Sequence, residues 1–353
     1  MEALIPQQSQ RSLAEQRIDY WAAAPAVAAM AYPFLLKAFH ITVGPPGSQP
    51  SLLAIIGAVI ILASAFAVPM LGIALACRSD VNPSFRRLAY ASVLSPTLYV
   101  FLGVVQGMLR SPLPDELVWC VIWLGMAVWA WRAKTRLLAP AGSVTRWRVL
   151  HGITASILCL YVFFHLGNHL FGLISPQAHA AVMKAGRKVY RAPVIEPVLV
   201  ALLLWQVASG LRLAWRWSTS AQGFQRTFQV ASGAYLAVFV LGHMNSVFVY
   251  ARTYLHIPTD WNFATGAPTG LIHDAWNIRL LPHYALGVFF VLSHLGSGLR
   301  AVLIAHGVDQ RFADRLWTCC AAASIVISAA IMAGLCGVRI ELHASVMPLP
   351  AVH

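Results

Sequence analysis

The chain has 353 residues, of which 59% are hydrophobic and 10% are charged, and its formal net charge is +13. Soluble domains carry about 25% charged residues, so this composition excludes an ordinary soluble protein and predicts an all-α polytopic membrane protein in a lipid bilayer. Excess Lys and Arg in cytoplasmic loops explains the positive charge, and no nucleic-acid-binding signature accompanies it, so nucleic acid is not an expected partner.

Apolar runs of about 20 residues predict about nine transmembrane helices. Residues 1–19 are a polar N-terminal segment without the features of a cleavable signal peptide. The six cysteines lack C-x-x-C spacing and predict neither a zinc or iron–sulfur site nor a disulfide framework. The spans are predicted at about 20–43, 52–77, 87–109, 117–133, 150–174, 193–215, 226–251, 281–305 and 315–338.

A basic stretch at 131–149 divides the chain into two predicted modules. Residues 20–133 form a four-helix transmembrane module of unknown role, and residues 147–340 form a five-helix module. The distribution of basic residues places the N-terminus in the cytoplasm and the C-terminus outside, with a long basic loop at 175–192 also outside. The composition suggests a bacterial inner membrane.

The second module contains two stretches that resemble each other. Aligning them places His165 on His243, and each copy is followed by an apolar span with a small-residue motif that ends in arginine. Residues 147–305 therefore predict two tandem helix pairs. The other aligned pairs are His151 with Gln229, Thr154 with Ser232, Gln206 with His294, Ser209 with Ser297 and Arg212 with Arg300.

The histidines of this module fall on shared helix faces. An α-helix turns about 100° per residue, so His151, His165 and His169 share one face of the fifth span, and His283 and His294 share nearly one face of the eighth. His165 and His243 lie on spans that run in the same direction, which places both in the outer half of the membrane. Gln206 and His294 fall in the inner half by the same reasoning.

Buried histidines inside a membrane are costly and mark candidate functional sites. Two facing imidazoles in a helical bundle are the ligand set of a bis-histidine haem b, so His165 and His243 are predicted to be its axial metal ligands. His169 and His283 are predicted to hydrogen-bond near this outer cofactor. A haem propionate needs a cation near the membrane edge, and the candidates at span ends are Arg191, Arg212, Arg279 and Arg300.

The inner half offers a less complete site. His294 lies there opposite Gln206, and glutamine is a poor haem ligand. This site is therefore empty, or holds a second haem with His151 as substitute ligand, or holds a quinone that hydrogen-bonds either Gln206 and His294 or Gln229 and His151. The small residues around Ser209 and Ser297 allow close approach of a helix or of a flat cofactor.

The stretches Gln229-Val-Ala-Ser-Gly…Gly242-His243-Met244 and His294…Gly298-Leu-Arg300 resemble the dihaem membrane cytochrome b subunit of the succinate dehydrogenase/fumarate reductase family. The resemblance covers about residues 147–340 and makes spans five to nine the five helices of that family. It implies that His165 and His243 are the distal haem ligands and that His294 is one proximal ligand. Gln206 departs from the family pattern at the other proximal ligand.

The resemblance implies a membrane anchor that exchanges electrons with quinone. Its implied partners are soluble flavoprotein and iron–sulfur subunits, or another membrane redox complex. The predicted function is a b-type cytochrome that relays electrons between a quinone pool and a partner redox protein. The alternative is a non-enzymatic haem-binding or scaffold subunit of a larger complex. A transporter is less favoured because acidic residues are nearly absent from the spans.

Overall fold

The computed structural model describes residues 20–133 and 144–341, and these residues form helices and no strand. The predicted all-α fold is confirmed for this part of the chain, whereas the N-terminal segment 1–19 and residues 134–143 of the basic stretch lie outside it. In chain order the α-helices are α1 (Ala24–Val43), α2 (Leu52–Cys77), α3 (Pro83–Val93), α4 (Ser95–Met108), α5 (Asp115–Arg132), α6 (Thr145–Leu170), α7 (Pro176–Tyr190), α8 (Ile195–Trp217), α9 (Phe224–Met244), α10 (Trp261–Thr265), α11 (Leu280–Ala305) and α12 (Gln310–Leu335).

Seven of these helices are long and apolar enough to cross a bilayer: α1, α2, α6, α8, α9, α11 and α12. Their outward faces carry large apolar side chains, among them Leu53 at 79% exposed and Leu160 at 81% exposed. Water would disfavour such a surface, whereas hydrocarbon accommodates it. The chain is therefore a multi-pass membrane protein. Helix α9 continues as a π-helix over Asn245–Leu255, which lengthens its span.

The segment predicted as the third span consists of two helices, α3 and α4, that meet at an angle of 67°. The cause is local, because Pro96 in the first turn of α4 has no backbone N–H and clashes with a preceding helical turn. Counted as one broken span, the pair gives an eighth crossing. Helix α5 coincides with the predicted fourth span but is not among the seven, since Asp115, Glu116 and Arg132 lie at its ends. The count of nine stays a prediction.

The predicted loop at 175–192 is mostly helical, because α7 occupies Pro176–Tyr190. Ser175 caps this helix by accepting a hydrogen bond from the Ala178 N–H at 2.9 Å, and Pro176 follows at the first helical position. Both are common helix-starting features. The helix brings a histidine, His179, against the end of α6.

Helices of the first module share a hydrophobic core with helices of the second. Ile73 and Val93 from α2 and α3 lie in one buried cluster with Tyr235 of α9 and Phe290 of α11. A buried ion pair joins the same modules, since Arg279 donates to the Asp115 carboxylate at 2.6 Å. The first four predicted spans therefore pack directly on the helices that carry the second copy of the repeat.

The histidine-bearing helices surround a common interior. Helix α6 packs on α8, α8 on α9, and α9 on α11, while α12 lies against α11 and α6. Helices α6 and α9 thus face each other across the interior, as do α8 and α11. This order positions the aligned residues of the two repeat copies opposite one another.

Candidate functional site

The two histidines predicted as metal ligands lie next to each other. His165 on α6 and His243 on α9 have ring centroids 6.0 Å apart, with their planes at 73°. Both residues are partly buried. Neither imidazole forms a hydrogen bond with any residue that the structure describes. An imidazole nitrogen that makes no hydrogen bond to the protein remains available to bind a metal ion.

An aromatic ring lies parallel to each of these imidazoles. Tyr161 stacks on His165 at 5.6 Å, and Phe239 stacks on His243 at 5.9 Å. In both cases the aromatic residue precedes the histidine by four positions, so it lies one turn earlier on the same helix face. Tyr161 and Phe239 are also equivalent positions of the repeat. The two copies therefore present the same aromatic–histidine unit to the interior.

Further rings extend the histidine pair toward one end of the bundle. His169 contacts His165 edge-on at 4.9 Å, and His179 lies 5.3 Å from His169. Trp261 covers His179 at 4.7 Å. His179 is only 2% exposed and accepts a hydrogen bond from Asn168 Nδ2 at 3.2 Å. Burial, assisted by the positive charge of Arg187, lowers the pKa of His179 to about 4.

Sequence reasoning missed His179 and Trp261. The serine–proline pair before α7 was the available signal, because it predicts a helix start and therefore an ordered segment near His169. Nothing in the sequence indicates that Trp261, from another connection, covers the same ring.

His283 lies one ring away from the histidine pair. On α11 its imidazole contacts Phe239 at 4.6 Å, and Phe239 in turn stacks on His243. The His283 backbone carbonyl accepts a hydrogen bond from the Tyr235 hydroxyl at 3.0 Å, while its buried Nδ1 atom has no partner in the described chain. The Nδ1 atom of His169 is also buried and has no hydrogen-bond partner in the described chain. The predicted role of both residues near an outer cofactor stays a prediction.

The inner candidates hydrogen-bond across helices. On α6 and α8, the His151 Nδ1 atom lies 2.7 Å from Ser209 Oγ, and Gln206 Nε2 donates to Thr154 Oγ1 at 2.6 Å. On α9 and α11, the His294 Nδ1 atom lies 2.9 Å from Ser232 Oγ. Gln206–Thr154 and His294–Ser232 are the same pair of positions in the two copies, so the contacts follow the repeat.

A glycine follows each serine that contacts an imidazole. A Cβ atom at Gly233, next to Ser232, would lie 2.9 Å from Cε1 of His294, which is closer than real side chains approach. The same atom at Gly210, next to Ser209, would lie 3.4 Å from Cε1 of His151. The Ser-Gly pairs therefore allow a ring from the neighbouring helix to lie against the backbone.

Gln229 and Ser297, the counterparts of His151 and Ser209, line an open cavity of about 220 Å³. Gln229 Oε1 accepts a hydrogen bond from Arg226 at 2.8 Å. A second cavity of about 320 Å³ is apolar and lies between α2, α11 and α12. Neither of these two cavities lies between His165 and His243.

The four predicted propionate partners have different surroundings. Arg191 donates to Thr259 Oγ1 at 3.1 Å and follows Tyr190, whose ring contacts Tyr161, so it is near the outer histidine pair.

The other three arginines already have partners in the protein. Arg279 is held by Asp115 between the rings of Tyr99 and Trp276. Toward the other end, Arg212 lies over Trp147 at 4.4 Å, and Arg300 pairs with Asp314 at 2.5 Å.

The described residues contain no group of three or more His, Cys, Asp or Glu that could hold a metal ion, although a bis-histidine haem site needs only two protein ligands. Comparison of the chain with protein-family models, with curated proteins and with solved structures finds no match. The resemblance to the succinate dehydrogenase/fumarate reductase cytochrome b subunit therefore stays a prediction from the sequence.

Proposed function

We propose that the protein is a membrane b-type cytochrome in which His165 and His243 are the axial ligands of one haem. The observation that carries this proposal is the distance of 6.0 Å between the two ring centroids, reached from two facing helices. Two imidazoles that bind one metal ion from opposite sides have centroids about 6 Å apart, because metal–nitrogen distances are about 2 Å. The donor set is that of low-spin haem proteins.

The surroundings of the two imidazoles fit an iron-binding role. No hydrogen bond from a described residue competes for either ring, so their nitrogen atoms are available as ligands. Tyr161 and Phe239 stack on the two imidazoles and fix their ring orientations. Arg191 is the candidate cation for a propionate near this end. When bound, haem supplies one-electron chemistry, and the protein sets its potential through ligands and burial.

We propose one haem per chain, because the candidate ligands of the inner half already have hydrogen-bond partners. Gln206 and His294 already hydrogen-bond Thr154 and Ser232, and His151 hydrogen-bonds Ser209. A quinone that exchanges hydrogen bonds with these groups is the proposed alternative occupant. The proposed electron partners are soluble flavoprotein and iron–sulfur subunits or another membrane redox complex. A bacterial inner membrane with a cytoplasmic N-terminus is part of the same proposal, based on loop charges and composition.

The test is the dithionite-reduced minus oxidised spectrum of the full chain purified in detergent, with haem quantified per chain. We expect one haem with the sharp α band of a low-spin, bis-histidine site. Protein from haem-replete cells that is colourless would contradict the proposal and return the histidines to helix packing. Two haems per chain would show that the inner site also binds the cofactor.

A scaffold or haem-binding subunit without electron transfer is the second candidate. The cross-helix hydrogen bonds of His151 and His294 favour it, since they are the contacts that hold transmembrane helices together. Addition of a water-soluble quinol to the purified protein separates the two functions. Reduction of the haem by quinol supports the relay, and a haem that quinol leaves oxidised, with or without a partner, supports the scaffold.

A further inference from the structure

The cavity of about 220 Å³ lies where the start of α9 meets the end of α11. It is separate from the outer histidine pair, which lies near the opposite end of α9. Polar and basic side chains contribute to its lining. The lining residues are Gly223, Gln225, Arg226, Gln229, Ser297, Arg300 and Ala301.

The charges around the cavity are mainly positive. Arg226 and Arg300 both line it, and Arg148 at the start of α6 is close enough to repel Arg226. One carboxylate, Asp314, binds Nε of Arg300 at 2.5 Å. The Nη atoms of Arg300 make no hydrogen bond within the described part of the chain. Three guanidinium groups against one carboxylate leave the cavity short of negative charge.

The two repeat copies differ at the position of this cavity. In the first copy, His151 lies at the corresponding position, and its Nδ1 atom is 2.7 Å from Ser209 Oγ. The guanidinium group of Arg212 stacks on the ring of Trp147. In the second copy, Gln229 turns toward Arg226 instead and leaves Ser297 facing the opening. One copy is therefore closed by a hydrogen bond, and the other is open and lined by arginines.

Aromatic residues place the cavity at the level of lipid headgroups. The Arg226 guanidinium lies 4.9 Å from the ring of Trp217, and Phe224 contacts Trp317. Trp residues concentrate at the membrane–water interface, and arginine is well suited to binding phosphate through several hydrogen bonds. Basic pockets between transmembrane helices recognise acidic headgroups on the cytoplasmic side.

We propose that this cavity binds the phosphate group of an acidic phospholipid, with Arg226 and Arg300 as hydrogen-bond donors and Ser297 and Gln229 lining the headgroup. Free inorganic phosphate has the same chemistry. The aromatic residues around the opening favour the lipid, because they place the site beside the acyl chains. The proposal does not depend on haem being present.

The experiment measures lipid binding to the full chain after delipidation in a neutral detergent, by native mass spectrometry. The probes are phosphatidylglycerol, phosphatidylcholine and inorganic phosphate. We expect phosphatidylglycerol to bind at least about tenfold more tightly than phosphatidylcholine, since charge-assisted hydrogen bonds contribute this much. Equal binding of the two lipids overturns the proposal. Inorganic phosphate that binds as tightly as phosphatidylglycerol overturns the lipid assignment and makes the site one for a soluble anion.

Two variants test whether phosphatidylglycerol binds in this cavity. Arg226→Gln is expected to weaken phosphatidylglycerol binding about tenfold. Gln229→His copies the closed half of the molecule without changing a formal charge, so it reduces binding even if Arg226→Gln folds poorly. Arg212→Gln is the matched control, because Arg212 is the equivalent arginine of the closed copy. Unchanged lipid binding in both cavity variants contradicts the proposal.

Discussion

His165 and His243, toward one end of the four-helix interior, contact aromatic rings and each other and make no hydrogen bond to a described residue. His151 and His294, toward the other end, each lie within hydrogen-bond distance of a serine on a neighbouring helix. A buried imidazole with a hydroxyl partner has its polar requirement met by the protein, whereas one without a partner carries an energetic cost. The two ends therefore differ in whether their imidazoles hydrogen-bond another described side chain, and this difference is what the proposed haem site at His165 and His243 rests on.

The strongest test of this difference is the removal of each histidine in turn. His165→Ala and His243→Ala are each expected to abolish the low-spin haem spectrum, because one axial ligand is lost. His151→Ala and His294→Ala are expected to retain it. Haem content per chain and the reduced α band are the measurements, with His256→Ala, an exposed histidine outside the bundle, as control. Loss of haem in the inner variants alone would reverse the assignment of the two ends.

Arg279 is held in an ion pair with Asp115, whereas Arg191 is the proposed propionate partner. Arg279→Met leaves the Asp115 carboxylate partly buried without its cation, and breaking such a pair costs about 3 kcal/mol. We expect a clear drop in thermal stability with the haem spectrum unchanged. The double variant Arg279→Met, Asp115→Asn should recover much of the loss. Arg191→Gln is the comparison, and it is expected to change the haem potential more than the stability. Haem loss in Arg279→Met at normal stability would assign Arg279 to the cofactor.

The pH dependence of stability tests the cluster beside the outer pair. The pKa of His179 is lowered to about 4, so as the pH falls the unfolded chain takes up a proton before the folded chain does. This contribution is complete above about pH 6.5 and is lost progressively toward pH 4, by at most about 3 kcal/mol. Unfolding temperatures at pH 7.5 and pH 5 measure it. His179→Gln should flatten the dependence, and an unchanged slope in this variant would refute the assignment.

The smallest expected effect concerns the inner hydrogen bonds. Ser232→Ala removes the hydroxyl next to His294, and Thr154→Val removes the equivalent hydroxyl next to Gln206. Hydrogen bonds between transmembrane helices contribute about 0.6 kcal/mol on average, so both variants should lose about that much stability and keep their haem content. Thermal unfolding and haem quantification measure this. A shifted haem spectrum in Ser232→Ala would mean that His294 is an iron ligand.

Hydrophobicity and the internal repeat predict much of this arrangement. Long apolar runs give the seven spanning helices, since burying the backbone of an apolar segment in lipid requires a helix. The repeat brings His165 and His243 together because equivalent positions on parallel helices lie at one depth. Helical periodicity alone does not show which neighbour each polar side chain meets, so the pairing of His294 with Ser232 was not predicted.

Three features of the fold are not predicted from the sequence, and the first of them is a long-range contact. Arg279 and Asp115 are separated by 164 positions, and no local pattern pairs them. The bend between α3 and α4 has a local cause at Pro96, but the apolar sequence continues across it, so hydropathy alone predicts one span. Helix α7 is short and its basic residues are interspersed with apolar ones, so a search for long apolar runs leaves it as a loop.

The shared core between the leading helices and the second repeat copy has a consequence for how the sequence can vary. Positions on α9 and α11, such as Phe290 at 0% exposed, must fit the shapes of neighbours on both sides. Outward positions on α6, such as Leu160 at 81% exposed, need only remain apolar. The two copies are thus under unequal mutational constraint. A saturation mutagenesis profile should show a tolerant first copy and a restrictive second copy at equivalent positions.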